Sequence, residues 1–188
     1  ITIEKSTKST YYYFVDTVYL PDGSGVFYTA TIPVDGFALG QTITNVNQIL
    51  GICINMEHSY LGDLEITLIS PSNDSVSFVV FGSGTSSYLG EPNDGSGGEG
   101  PGVGYQDFFP TEGATNTTED VAVSFTSVPA GEYLPVSSWT NLIGSELNGN
   151  WVIKVTDNWA VDDGYIFGWS LGFDLDQVDV TRITGQVY

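Results

Sequence analysis

The sequence predicts an all-β domain, and three observations carry that prediction. The chain is rich in Val, Ile, Thr and Tyr, residues that suit a pleated, half-buried surface. Its 23 glycines among 188 residues supply the tight turns that short strands need. Short apolar segments also alternate with polar residues at period two between turn signals, the spacing of a meander or a sandwich. Hydrophobic residues make up 41% and aromatics 13% of the chain, which excludes disorder. A domain of this length buries roughly 70% of the surface its unfolded chain exposes, so its core closes without staples.

Each element follows from its residues. Residues 1–10 are rich in Ser, Thr and Lys and read as a linker or an edge strand. Tyr11 to Val15 is dense in strand formers, so residues 1–25 are taken as a linker or an added edge strand before a sandwich over 26–175, with 176–188 as a tail. Pro21-Asp22-Gly23-Ser24-Gly25 is a turn, because Pro presets the first turn dihedral and Gly supplies positive φ. Strands are expected at Val26 to Val34, Gly51 to Met56, Leu64 to Ile69 and Val76 to Phe81. In the third of these Leu64, Ile66 and Leu68 share one face and Glu65 and Thr67 the other. Gly82 to Gly104 is a glycine-rich loop without hydrophobic period, pinned back by Tyr105 to Phe109; loops this long are usually functional or disordered. Val121 to Phe125 alternates like a strand, Trp139 to Gly144 reads as a short helical turn, and Trp151 to Thr156 and Tyr165 to Phe173 close the domain. In the last strand Ile166, Gly168, Ser170 and Gly172 fall on one face.

Four Lys plus Arg stand against 23 Asp plus Glu, a net charge of −19, and that field repels phosphate backbones and anionic lipid. Nucleic acid and membrane partners are therefore not expected. No stretch approaches the roughly 20 apolar residues of a membrane span. The chain starts at Ile1 without a signal-like segment and reads as a processed or excised piece. Its single Cys53 lies in an apolar run and is expected in the core, and no internal disulfide can form.

Catalysis has little to work with. His58 is the only histidine and sits in a turn at the head of a strand, where backbone hydrogen bonding is its expected role. No Gly-x-Ser-x-Gly elbow accompanies it. With 23 acidic residues some carboxylate pair must fall at glycosidase spacing, so such a pair carries no information. One His and one Cys do not make a zinc site. Trp151 and Trp169 sit in strand patterns and belong to the core, whereas Trp159 lies in an acidic turn and is the best candidate for a ligand contact. Asn116-Thr117-Thr118 fits an N-glycosylation acceptor.

Several ordered blocks together carry a resemblance. Glu57-His58-Ser59-Tyr60-Leu61-Gly62-Asp63-Leu64 leads into Ile66, Leu68, Ser70 and Pro71. Gly131-Glu132-Tyr133-Leu134-Pro135 follows, and then Gly149-Asn150-Trp151, Val155, Asp157, Gly164, Trp169 and Leu171. This resembles the P domain, or Homo B domain, that follows the subtilisin-like catalytic domain in kexin and furin-type proprotein convertases, over Gly25 to Asp174. The resemblance implies a jelly-roll-like β-sandwich of about eight or nine antiparallel strands. It implies a non-catalytic module that supports folding and stability of a neighbouring protease, or a module of a large secreted bacterial protein. The chain departs from the family at Ser70-Pro71-Ser72-Asn73-Asp74, where Asn73 stands in for a positive-φ glycine, and in the length of the 82–104 insertion.

Some P domains bind calcium through acidic loops, and hard cations want several oxygens on short glycine-adjacent turns. The candidate Ca²⁺ ligands are Asp63, Glu91, Asp94, Asp107, Asp157, Asp162 and Asp163. The expected partners are the neighbouring domains of the parent chain, with a subtilisin-like catalytic domain as the candidate among them, around a secreted or cell-surface monomer. The competing reading is an adhesive, carbohydrate- or protein-binding sandwich that uses the 82–107 loop and Trp159.

Overall fold

The computed structural model describes residues 8–23, 26–83, 86–93 and 100–179. Two sheets form a sandwich. The strands in chain order are β1 (Ser9–Tyr19), β2 (Phe27–Val34), β3 (Ile49–His58), β4 (Leu64–Ile69), β5 (Ser75–Val79), β6 (Tyr88–Leu89), β7 (Tyr105–Pro110), β8 (Ser127–Val128), β9 (Gly149–Asp157) and β10 (Gly164–Asp174). The larger sheet runs β1-β10-β3-β6-β8, with β7 also paired to β3, and the smaller runs β2-β9-β4-β5. Among the described strands the pairings are antiparallel except that of the two-residue strands β6 and β8.

Alternation sets the core. In β4 Leu64, Ile66 and Leu68 are buried and Glu65 is exposed, as the period-two pattern requires. Trp151, Ile153 and Val155 of β9 meet Leu171 and Phe173 of β10 in one core cluster. Trp151 packs edge-on against Phe173 at 6.0 Å and Phe78 tilts against Phe109 at 4.7 Å. Both pairs reach from one sheet to the other. Aromatic side chains bury about 150–250 Å² each, so at about 25 cal/mol per Å² one such ring contributes roughly 4–6 kcal/mol of transfer free energy.

Strand β1 joins the sandwich as the edge of the larger sheet. It pairs with β10 from Ser9↔Asp174 to Tyr19↔Tyr165, with a bulge between Val15 and Val18. At the other end of the chain Gln48 Nε2 donates to Gln177 O at 2.8 Å and Val178 is buried, so residues up to Asp179 lie on the body. Asn73 takes φ 67° in the turn before β5, filling the glycine-like position.

Three expectations are corrected. Val121 to Phe125 is not a strand: Thr118–Ala122 forms a one-turn helix, α1, and Val123 and Phe125 are exposed. Its capping box explains this, because the Thr117 side chain accepts from Asp120 N while the Asp120 carboxylate accepts from Thr117 N. That local signal outweighs five residues of alternation. In β10 a bulge lies between Ile166 and Gly168. It turns Ile166 into the core with Trp169, Leu171 and Phe173, away from Gly168, Ser170 and Gly172. Cys53 is only partly buried and faces outward, since its neighbours Ile52 and Ile54 take the core positions of β3.

Candidate functional site

One end of the sandwich gathers the chain's histidine and four of the acidic candidates. The turn 58–63 after β3 meets the turn 157–164 that joins β9 to β10, because β3 and β4 both pair beside those strands. Backbone bonds lock the two turns together. Ser59 N–H donates to Asp163 O at 3.0 Å, and Asn158 donates to Asp63 O through N at 3.0 Å and through Nδ2 at 3.1 Å.

His58 is fully buried at this junction. Tyr60 N–H donates to Nδ1 at 3.1 Å, which leaves Nε2 to donate to Asp157 Oδ2 at 3.2 Å. The other oxygen of Asp157 accepts from Trp159 N–H at 3.2 Å. Gly164 sits directly against the imidazole, where a Cβ would come within 2.3 Å of His58 Cδ2 and 2.7 Å of Glu57 O. The histidine and its carboxylate thus form a buried clasp between the two turns. A buried charge-assisted bond of this kind holds two turns firmly, and removing one partner strands the other.

The remaining carboxylates differ in what holds them. Tyr19 O–H donates to Asp163 Oδ1 at 2.5 Å, and Ser59 O–H reaches Asp162 Oδ1 at 3.5 Å. The buried Asp63 carboxyl is pushed up to about 6, first by burial and then by the charges of Asp162 and Asp157. Asp63 and Asp162 line one groove, and the charge of Asp162 is the largest influence on Asp63 after burial. Tyr60, Gly62, Phe81, Gly82 and Trp159 surround this pair and form a groove of about 380 Å³. Trp159 is 63% exposed and Phe81 49% exposed. The neighbouring Val161 holds φ 113°, an outlier for a β-branched residue.

The other candidates lie elsewhere. Glu91 is exposed, bridges Val103 through its backbone and accepts from Tyr105 O–H at 2.8 Å. Asp107 sits within β7 opposite Ile54, buried, with Oδ1 lacking a partner, and burial pushes its carboxyl up to about 7. Asp94 lies outside the described residues, as does part of the 82–107 loop. Among the described residues no group of three or more His, Cys, Asp or Glu side chains is placed to hold a metal ion. Among the described candidates, Asp63 and Asp162 line the same groove. Two carboxylates fall short of a calcium shell, which takes six to eight oxygens.

The sequence pointed to Trp159 but not to Phe81, which lies 78 positions away and reaches the same groove only through the fold. The His58–Asp157 clasp had one sequence signal, the Gly at 164 that the packed ring requires.

Residues 109–173, from β7 to the end of the core in β10, match the proprotein convertase P-domain family. Two solved structures are similar. One is a serine protease of Aeromonas sobria, with TM-score 0.48 and 12% identity over 92% of this chain and 28% of that one. The other is the complex of the Aeromonas sobria serine protease with its chaperone, with TM-score 0.47 and 12% identity over 90% of this chain and 27% of that one. The chain therefore spans little more than a quarter of either protein. No curated protein matches it in sequence.

Proposed function

We propose that this chain is a non-catalytic P domain that acts as a folding, stability or spacer module beside a subtilisin-like catalytic domain, in a secreted serine protease or a larger secreted protein. The observation that carries the reading is the P-domain match over residues 109–173, which takes in β9 and β10, strands central to the two sheets. The burial of the only histidine in a structural clasp agrees with it. Among the described residues no helix is long and apolar enough to cross a membrane. The module works as a monomer tethered to its neighbours.

The test is co-expression of the parent's upstream domain with and without this chain. The reading expects soluble, folded upstream domain only when the module is present. Equal yields of folded upstream domain in both cases would refute it.

Calcium is the finer part of the proposal, with Asp63 and Asp162 as the carboxylates that would hold the ion. The charges of Asp162 and Asp157 push the Asp63 carboxyl up, so a cation beside it would relieve like-charge repulsion. Melting is expected to rise in calcium and fall in chelator, and coincident melting curves would remove calcium from the reading.

A second reading is a protein- or carbohydrate-binding surface around Trp159. It rests on the exposed indole beside exposed Phe81. Loss of partner retention in Trp159→Ala at unchanged melting temperature would favour it.

A further inference from the structure

The outer face of the larger sheet carries a groove of about 490 Å³, within the roughly 300–1,000 Å³ usual for ligand sites. Its floor is β10, where Gly168 and Ser170 point outward and leave the strand bare. Tyr11 and Tyr13 of β1 form one wall, with rings 6.3 Å apart, and Phe108 of β7 and Phe167 at the β10 bulge form the other. Tyr13 is 69% exposed, and the Tyr11 ring lies where a Cβ on Gly172 would strike it at 2.5 Å.

The polar groups here are as informative as the rings. Asn55, Gln106 and Ser170 line the groove. Gln106 is exposed, Asn55 is half-buried, and Ser170 lies on the face of β10 opposite its core residues.

Charge narrows the class of occupant. The chain has 23 acidic and four basic residues, yet no Asp, Glu, Lys or Arg lines this groove. An anion would be repelled by the net charge, and a cation would find no carboxylate to pair with. A neutral extended peptide fits poorly as well, because the β10 backbone is already paired to β1 and β3 on its two sides and has no ladder to offer. Flat aromatic faces beside amides and hydroxyls suit a neutral ring with C–H bonds on its faces and hydroxyls at its rim, and such hydroxyls both donate to and accept from the Asn55 and Gln106 amides.

We propose that this groove binds a neutral saccharide, stacked on Tyr11 and Tyr13 and hydrogen-bonded by Asn55, Gln106 and Ser170. The site is separate from the Trp159 groove and does not depend on the protease-accessory reading.

The test is isothermal titration calorimetry of the intact chain with cellohexaose, xylohexaose, mannohexaose and chitohexaose. At least one is expected to bind, Tyr13→Ala and Gln106→Ala each to weaken it about tenfold or more, and Trp159→Ala to leave it unchanged. Both substituted side chains are exposed, so melting temperatures should match the parent and separate lost binding from lost fold. Binding of none of the four sugars overturns the proposal. So does binding that survives both groove variants, binding lost only in Trp159→Ala, or displacement of the sugar by an uncharged Ala-Pro repeat peptide.

Discussion

Asp107→Asn should make the stability of this domain less sensitive to pH. The carboxyl sits in β7 against the core, burial pushes it up to about 7, and its ordinary value is 3.8. The folded chain therefore holds a proton that the unfolded chain has released across the window between those values. A carboxyl whose folded pKa is raised contributes most at low pH, and that contribution falls as pH rises toward 7. Each step of one in pH through this window is worth about 1.36 kcal/mol, so between about pH 5 and pH 8 this group alone removes about 2.5 kcal/mol from the parent's stability. Asn cannot ionise and removes that slope. Urea unfolding of both chains at the two pH values gives the difference directly, and other groups that titrate in the window, Asp63 among them, cancel in the comparison. Parallel pH profiles for the two chains would refute the placement of Asp107 as a buried acid without a compensating charge.

Three further outcomes follow from the packing. Gly164→Ala puts a methyl against His58 Cδ2 and Glu57 O and should cost about 1–3 kcal/mol by thermal or urea melting; an unchanged midpoint would mean the clasp is loose. Val161→Gly should raise stability by about 1 kcal/mol, since it relieves φ 113° at a side chain that is 80% exposed, and a drop in melting temperature would contradict that strain. Trp151→Ala empties the centre of the sandwich and should cost about 3–5 kcal/mol in urea unfolding, where a loss below about 1 kcal/mol would place the ring outside the core.

Much of the fold was legible because its signals are local. The pattern Leu64, Ile66, Leu68 against Glu65 fixes a face of β4 whatever surrounds it, and Asn73 announces a turn that accepts positive φ. Val121 to Phe125 misled because alternation over five residues is weaker than the Thr117–Asp120 capping box just before it. The faces of β10 misled because a one-residue bulge inverts every side chain beyond it, and nothing in Tyr165 to Phe173 marks Phe167 as the extra residue. The candidate site divided the same way. The acidic turns were visible, but which carboxylates share a groove depends on strand pairing between segments about 100 positions apart.

By itself, then, the sequence determined the all-β class, the interior rows of Trp, Ile and Leu, the family motifs and the turns that surround His58. All of these follow from residue type and short-range period. It took the folded chain to set Asp157 against His58, to bring Asp63 and Asp162 into one groove, to bury Asp107 with Oδ1 unpaired, and to make Tyr11 and Tyr13 wall a groove with Phe108 and Phe167. Those outcomes depend on register and sheet order, which set distances between residues that the chain itself keeps far apart.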